Sequence, residues 1–274
     1  MEEADITQQT KRVAVVTGSN KGIGLEICKQ LASNGVMVIL TARDENRGLQ
    51  AVQNLRTSGL SDILFHQLDV TNQASIASLA EFIKTEFKKL DILVNNAGIG
   101  GFVIDPEVLK EIKIGIDDLA GSPNSQLKKE MFKKDFGSMS PPKMGLLKLM
   151  PNENAKKVLN PNVDGLTVER IDELVQEFLE DYKEDLLETK GWPSKFGPYM
   201  VSKAALNGYT RVTAKNYPHI IINAVCPGYV KTDITYNNGI LTVEQGAKRP
   251  VMLALAPSGG PSGLFYSQTE ISTF

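Results

Sequence analysis

The sequence predicts an α/β fold, a doubly wound parallel sheet with helices on both faces. Three observations carry that expectation. Short β-branched runs alternate with helical stretches through the first hundred residues. The runs are continuously apolar, as strands covered on both faces are. A glycine-rich turn joins the first run to the first helix.

The composition is that of a folded, neutral chain. Its 274 residues are 42% hydrophobic and 23% charged, too apolar for disorder. Against 32 acidic residues stand 30 basic ones, so the chain lacks the basic excess that nucleic acid or a membrane surface selects. Two cysteines and two histidines build neither a disulfide framework nor a Cys/His zinc centre, so no metal is expected. No apolar run approaches the ~18 residues that span a bilayer. The polar segment Met1–Arg12 lacks the apolar core of a signal peptide, which points to a cytoplasmic chain. A single domain over residues 1–274 is expected, with a polar tail at 1–11, an irregular stretch at 99–150 and a helical insertion at 152–192.

Val13–Val16 reads as the first strand and Ile23–Asn34 as the first helix, stopped by Gly35. Val36–Leu40 is the second strand, Asn46–Thr57 the second helix and Ile63–Leu68 the third strand. Ser75–Lys89 places Ile76, Leu79, Phe82, Ile83 and Phe87 at helical spacing before a fourth strand, Ile92–Val94. Between Gly98 and Pro151 the pattern dissolves, and neither Ile112–Ile116 nor Leu146–Met150 makes a convincing strand. Thr167–Leu187 is strongly amphipathic. Val168, Ile171, Leu174, Val175, Phe178, Leu179, Tyr182 and Leu186 form one face, and a solvated acidic face includes Asp172, Glu177 and Asp181. A helix from Pro198 to Tyr217 and a strand, Ile220–Val225, follow.

The turn Thr17-Gly18-Ser19-Asn20-Lys21-Gly22-Ile23-Gly24 sits between strand and helix, where glycines admit a pyrophosphate and a helix N-terminus offers unpaired N–H groups. A carboxylate about 20 residues on would bond the adenosine ribose of NAD. Thr41-Ala42-Arg43 stands there instead, and a guanidinium suits a 2′-phosphate. Alone, Arg43 reads equally as a solvated loop residue. With Lys21 as a second positive charge, NADP(H) is the expected cofactor.

Together with Asn95-Asn96-Ala97-Gly98, Tyr199-x-x-x-Lys203 and Pro227-Gly228, this turn resembles the short-chain dehydrogenase/reductase family, a Rossmann-like fold. Gly191-Trp192-Pro193, Val225-Cys226-Pro227-Gly228-Tyr229 and the insertion before Tyr199 are similar to plant carbonyl reductases of the salutaridine and menthone/neomenthol reductase group. The resemblance implies hydride transfer between NADPH and a ketone or aldehyde, a small hydrophobic carbonyl compound such as a terpenoid or alkaloid ketone. Tyr199 would serve as general acid and Lys203, four residues on along the helix, would lower its pKa and reach a ribose hydroxyl. The resemblance also implies cofactor contacts from Gly18, Ser19, Asn20, Lys21, Gly22, Ile23, Gly24, Arg43, Asp69, Val70, Asn96, Ala97, Pro227, Gly228, Val230 and Thr232. It further implies a monomer, through the inserted helix.

Two elements of the family pattern are not found between Gly98 and Tyr199: the helix with a relay asparagine and the strand ending in a catalytic serine. About one helix and one strand are missing, on the order of 25 residues. Ser140 is the candidate for the serine role, with Ser138 next. An alternative reading is therefore an NADP(H)-binding protein with impaired turnover. His66 and His219 are read as incidental, and Cys28 and Cys226 as small buried residues. Trp192 and Phe196 fit a substrate pocket or core packing equally.

Overall fold

The computed structural model describes residues 11–98, 150–160, 165–193, 197–267 and 270–272. Its elements in chain order begin with β1 (Val13–Val16), α1 (Gly22–Ser33), β2 (Met37–Ala42), α2 (Glu45–Thr57), β3 (Ile63–Gln67), α3 (Gln73–Glu86) and β4 (Ile92–Val94). They continue with α4 (Glu153–Leu159), α5 (Val168–Lys183), α6 (Gly197–Asn216), β5 (Ala224–Cys226), α7 (Val243–Ala254), β6 (Phe265–Ser267) and β7 (Glu270–Ser272). The chain divides into two compact units, one of Met1–Ile99 with Val230–Ala256 and the other of Gly100–Tyr229 with Pro257–Phe274.

The first unit holds a parallel sheet in the order β3-β2-β1-β4. Its central strand β1 is buried at every position, and its alternate side chains enter different cores. Ala14 and Val16 pack with Ile27 and Leu31 of α1, Val52 and Leu55 of α2, and Val251 of α7. Val13 and Val15 pack with Leu79 and Ile83 of α3. Helices therefore cover both faces, as the continuous apolar runs predicted. Removing any one of the valine, leucine or isoleucine side chains among these from water is worth roughly 1.5–3 kcal/mol, so the sheet register is firmly set.

In the second unit α4, α5 and α6 share a core of Leu159, Ile171, Leu174, Phe178, Trp192, Ala204 and Val212. Helices α5 and α6 approach closely at Gly208, where a Cβ would lie 3.1 Å from Ile171 Cδ1. The face of α5 differs from its sequence reading. Leu179 and Tyr182 are exposed, while Asp181, expected among the solvated acids, is buried. Its carboxylate accepts the indole Nε1–H of Trp192 at 2.7 Å, and that bond makes its burial tolerable.

Strand β5 pairs in parallel with β6, and β6 pairs antiparallel with β7. The expected strand Ile220–Val225 is shorter and starts later, because Ile220 and Ile222 are held instead by the side chain of Ser262. The sequence reading did not identify α7, β6 or β7. The unconvincing segments Ile112–Ile116 and 146–149, and the site of the missing helix and strand, lie outside the described residues.

Candidate active site

The glycine turn is held from below by the Asn-Ala pair after β4. Thr17 Oγ1 accepts the N–H groups of both Asn96 and Ala97 at 2.9 Å. Asn96 Nδ2 donates to the carbonyls of Thr17 at 2.9 Å and Gly18 at 3.1 Å. Gly18 adopts φ +61° and Gly22 φ +58°, left-handed conformations that glycine takes without strain. Gly24 has no room for a side chain, since a Cβ there would sit 2.4 Å from Asn96 Nδ2 and 2.9 Å from the Gly18 carbonyl.

Helix α1 starts over this turn without a side-chain cap and without an acid in its first turn. Elsewhere Asp44, Asn72, Asn152, Thr167 and Thr242 cap α2, α3, α4, α5 and α7. The first N–H groups of α1, around Gly22, Ile23 and Gly24, therefore keep their positive dipole end open to an anion. Asn20, before them, is half-buried.

At the end of β2, Arg43 is exposed and its carbonyl accepts from Gln67 Nε2 at 2.8 Å. The neighbouring Asp69 accepts the N–H and hydroxyl of Thr71. Those two bonds, with a smaller contribution from the Arg43 charge, hold its carboxyl below the usual carboxylate range. Val70 beside it is 44% exposed. Two residues of the turn differ from their expected roles. The Ser19 side chain is fully buried and bonds inside the protein, to Val16 and Thr41. Lys21 Nζ is engaged in an exposed ion pair, 2.5 Å from Asp233 Oδ2.

Asp233 arrives there because the chain after Val230 folds back on the turn. Val230 is 2% exposed and bridges to Leu241. Gly239 crosses it so closely that a Cβ would lie 2.0 Å from the Val230 carbonyl carbon. Thr235 Oγ1 ties the segment to Val230 O at 2.6 Å, and Thr232 comes to rest against Gly22.

In the second unit α6 presents Tyr199 and Lys203 away from its buried stripe of Val201, Ala204, Ala205 and Gly208. Lys203 Nζ lies over the Tyr199 ring, 5.9 Å from its centroid. The lowering of the Tyr199 pKa expected from that ammonium is not seen. Burial of the phenol raises it above 10, and the Cys226 thiol adds to the rise. The residue as a whole is nevertheless 42% exposed. The Pro227-Gly228 turn follows Cys226. Gly228 takes φ +88° and donates its N–H to Cys226 Sγ at 3.3 Å.

Ser140, Ser138 and Phe196 lie outside the described residues. Trp192 is 2% exposed within the helical core, which resolves its two readings in favour of packing. His66 lies tilted against Phe82, and His219 meets Tyr217 edge-on. Burial pushes the Cys28 thiol up to about 12, which leaves it inert, whereas Cys226 is only half-buried. Among the described residues no group of histidine, cysteine and acidic side chains is placed to hold a metal. Among them, too, no helix is long and apolar enough to cross a membrane.

An uncapped helix over a glycine turn, on a sheet ordered β3-β2-β1-β4, defines the Rossmann class of α/β proteins. A family model described as short chain dehydrogenase matches residues 12–114, and one described as enoyl-(acyl carrier protein) reductase matches 186–252. Short-chain dehydrogenase/reductase 1 of Saponaria officinalis is 48% identical, with 100% of each chain covered. The (+)-neomenthol dehydrogenase of Arabidopsis thaliana is 48% identical over 98% of this chain and 100% of its own. The structure of salutaridine reductase from Papaver somniferum superposes with a TM-score of 0.81 at 44% identity, covering 93% of this chain and 99% of that one. The chain belongs to the short-chain dehydrogenase/reductase family. The Saponaria alignment runs over 303 positions against 274 residues here, so at least 29 positions of that relative have no counterpart in this chain. One helix and one strand account for such a length.

Proposed function

We propose that the protein is an NADPH-dependent reductase of ketones or aldehydes, acting on a small hydrophobic carbonyl compound such as a terpenoid or alkaloid ketone. The observation that carries the reading is the Tyr199/Lys203 pair on α6, its tyrosine exposed, in a chain 48% identical to a neomenthol dehydrogenase. The residues fit the cofactor on two grounds: the glycine turn, in which Gly18 and Gly22 take left-handed φ and carry no side chain, and the uncapped N-terminus of α1. Gly18, Gly22, Ile23 and Gly24 would hold the pyrophosphate, Arg43 the 2′-phosphate and Asp69 with Val70 the adenine edge. Lys203 would hold a ribose hydroxyl.

Bound NADPH supplies the hydride. Tyr199 supplies the proton, because its raised pKa keeps the phenol protonated at neutral pH and ready to neutralise a developing alkoxide. Lys203, over the ring, places a positive charge beside the phenolate that remains. The named relatives lend no support to the alternative of impaired turnover. Ser140 is proposed to hydrogen-bond the substrate carbonyl, and a cytoplasmic monomer, checked by light scattering, completes the reading.

The test is NADPH fluorescence on mixing with the protein, then its decay with a panel of terpenoid and alkaloid ketones. Wild type is expected to bind and consume NADPH, and Tyr199→Phe to bind it with turnover lower by about 10²–10⁴-fold, the usual contribution of a general acid. Reduction should persist through neutral pH and fail only on the alkaline side of an ordinary phenol's titration, since burial raises the pKa of the folded phenol. A Tyr199→Phe rate within threefold of wild type would overturn the assignment.

A further inference from the structure

Two hydroxyl side chains near the glycine turn are wholly buried, and they belong to the two ends of the cofactor site. Ser19 lies in the turn itself, and Thr41 lies in β2 two residues before Arg43; both are 0% exposed. Ser19 Oγ donates to Val16 O at 2.7 Å and accepts the Thr41 N–H at 3.1 Å. Thr41 Oγ1 donates to the same Val16 carbonyl at 3.0 Å, and the Ser19 N–H donates to Thr41 O at 2.8 Å. Four bonds thus close a small buried ring that joins the turn, the last residue of β1 and the end of β2. Buried hydroxyls with all their partners in place fix geometry, because any shift leaves a polar group unsatisfied in a dry interior.

We propose that Ser19 and Thr41 are positioning residues for the choice of NADP(H) over NAD(H): they couple the turn that takes the pyrophosphate to the strand end that presents Arg43. Both side chains are 0% exposed, so neither is open to a cofactor on the surface. The turn and Arg43 are separated by a whole helix in sequence, so a direct link between them sets how far the guanidinium stands from the cradle. A 2′-phosphate meeting a displaced guanidinium loses a charge-assisted bond, while NADH, which lacks that phosphate, loses little. The proposal rests on the NADPH reading given above.

The experiment measures dissociation constants of NADPH and NADH by nicotinamide fluorescence, with a thermal melt of each variant. The variants are Thr41→Val, which keeps the shape without the hydroxyl, Thr41→Ser, which keeps the hydroxyl, and Ser19→Ala, which adds no bulk. Thr41→Val and Ser19→Ala are expected to cut the NADPH/NADH preference roughly three- to tenfold, the range that one buried hydrogen bond spans. Thr41→Ser is expected to retain the preference. Equal weakening of both cofactors in folded Thr41→Val or Ser19→Ala, no change in either, or loss of preference in Thr41→Ser would overturn the proposal. If Thr41→Val does not fold, Ser19→Ala and Thr41→Ser decide by the same criteria. Wild type preferring NADH would instead overturn the NADPH reading itself.

Discussion

Replacing Trp192 with Phe removes one donor from the interior of the helical unit and leaves its acceptor behind. The indole Nε1–H reaches Asp181 Oδ2 at 2.7 Å, and both residues are buried, at 2% and 7% exposure. A hydrogen bond to a charged group contributes about 1.5–3 kcal/mol, and at 7% exposure Asp181 is largely shielded from solvent. The smaller ring also leaves a void of a few tens of Å³, worth about 1 kcal/mol at ~24 cal/mol per Å³. Edge-on contact with Phe178, now 5.2 Å between ring centroids, survives in part. The expected loss is therefore about 3 kcal/mol in urea unfolding followed by circular dichroism, since the chain's single tryptophan is gone from the variant. Asp181→Asn keeps an oxygen acceptor and should cost about 1 kcal/mol. The double variant should show a coupling of about 1–2 kcal/mol. Ketone KM at a temperature where Trp192→Phe is folded should stay within twofold of wild type. A stability loss under 0.5 kcal/mol, or zero coupling, would refute the buried bond; a large KM change would return Trp192 to the substrate pocket.

Two further predictions concern the cradle and the inserted helix. Gly24→Ala drives a methyl to 2.4 Å from Asn96 Nδ2, so it should break the Asn96 bonds beneath the turn, cost about 1–3 kcal/mol and weaken NADPH binding more than tenfold by fluorescence titration. Tyr209 donates to Asp172 between α6 and α5, and its burial together with that carboxylate pushes the phenol up to about 12. A phenol raised from about 10 when unfolded stabilises fully below pH ~10 and loses its contribution as pH climbs through 12. Tyr209→Phe should thus lower the urea midpoint slightly at pH 8 and remove part of the alkaline fall, and a wild-type difference constant from pH 8 to 12 would contradict this.

Those couplings are the part of the molecule that sequence reading misses. The Rossmann half was legible because period and punctuation are local: Val13–Val16 is apolar at every position, and Gly35 follows the last residue of a helical pattern. The turn, Asn96, Ala97, Tyr199 and Lys203 were legible for the same reason, since their spacing is itself the signal. Strands of three residues, such as β6 and β7, offer too few positions for any period to register. Asp181 could not be told from its acidic neighbours on α5, because what buries it is an indole beyond the end of that helix. Asp233 gave no sign either, since its partner Lys21 is separated from it by 212 positions.

The ion pair of Lys21 and Ser19's burial change how cofactor preference is explained. By sequence alone, selectivity is a sum of charges, Arg43 plus Lys21. In the structure the Lys21 charge already has an acid at 2.5 Å, with exposures of 62% and 67% on the two side chains. An exposed pair of that kind holds by ~1 kcal/mol or less and weakens with salt, so Lys21 can exchange one anion for another at little cost. A phosphate arriving at the site therefore gains from Lys21 only the difference between two exposed pairings, which is small. On the proposed reading, what discriminates NADPH from NADH would then rest on Arg43, and on whatever fixes Arg43 against the turn. The buried hydroxyls tie the end of β2 to the turn, through Ser19, and to the last residue of β1, through Thr41, so on the proposed reading selectivity would depend on the rigidity of the interior as much as on surface charge.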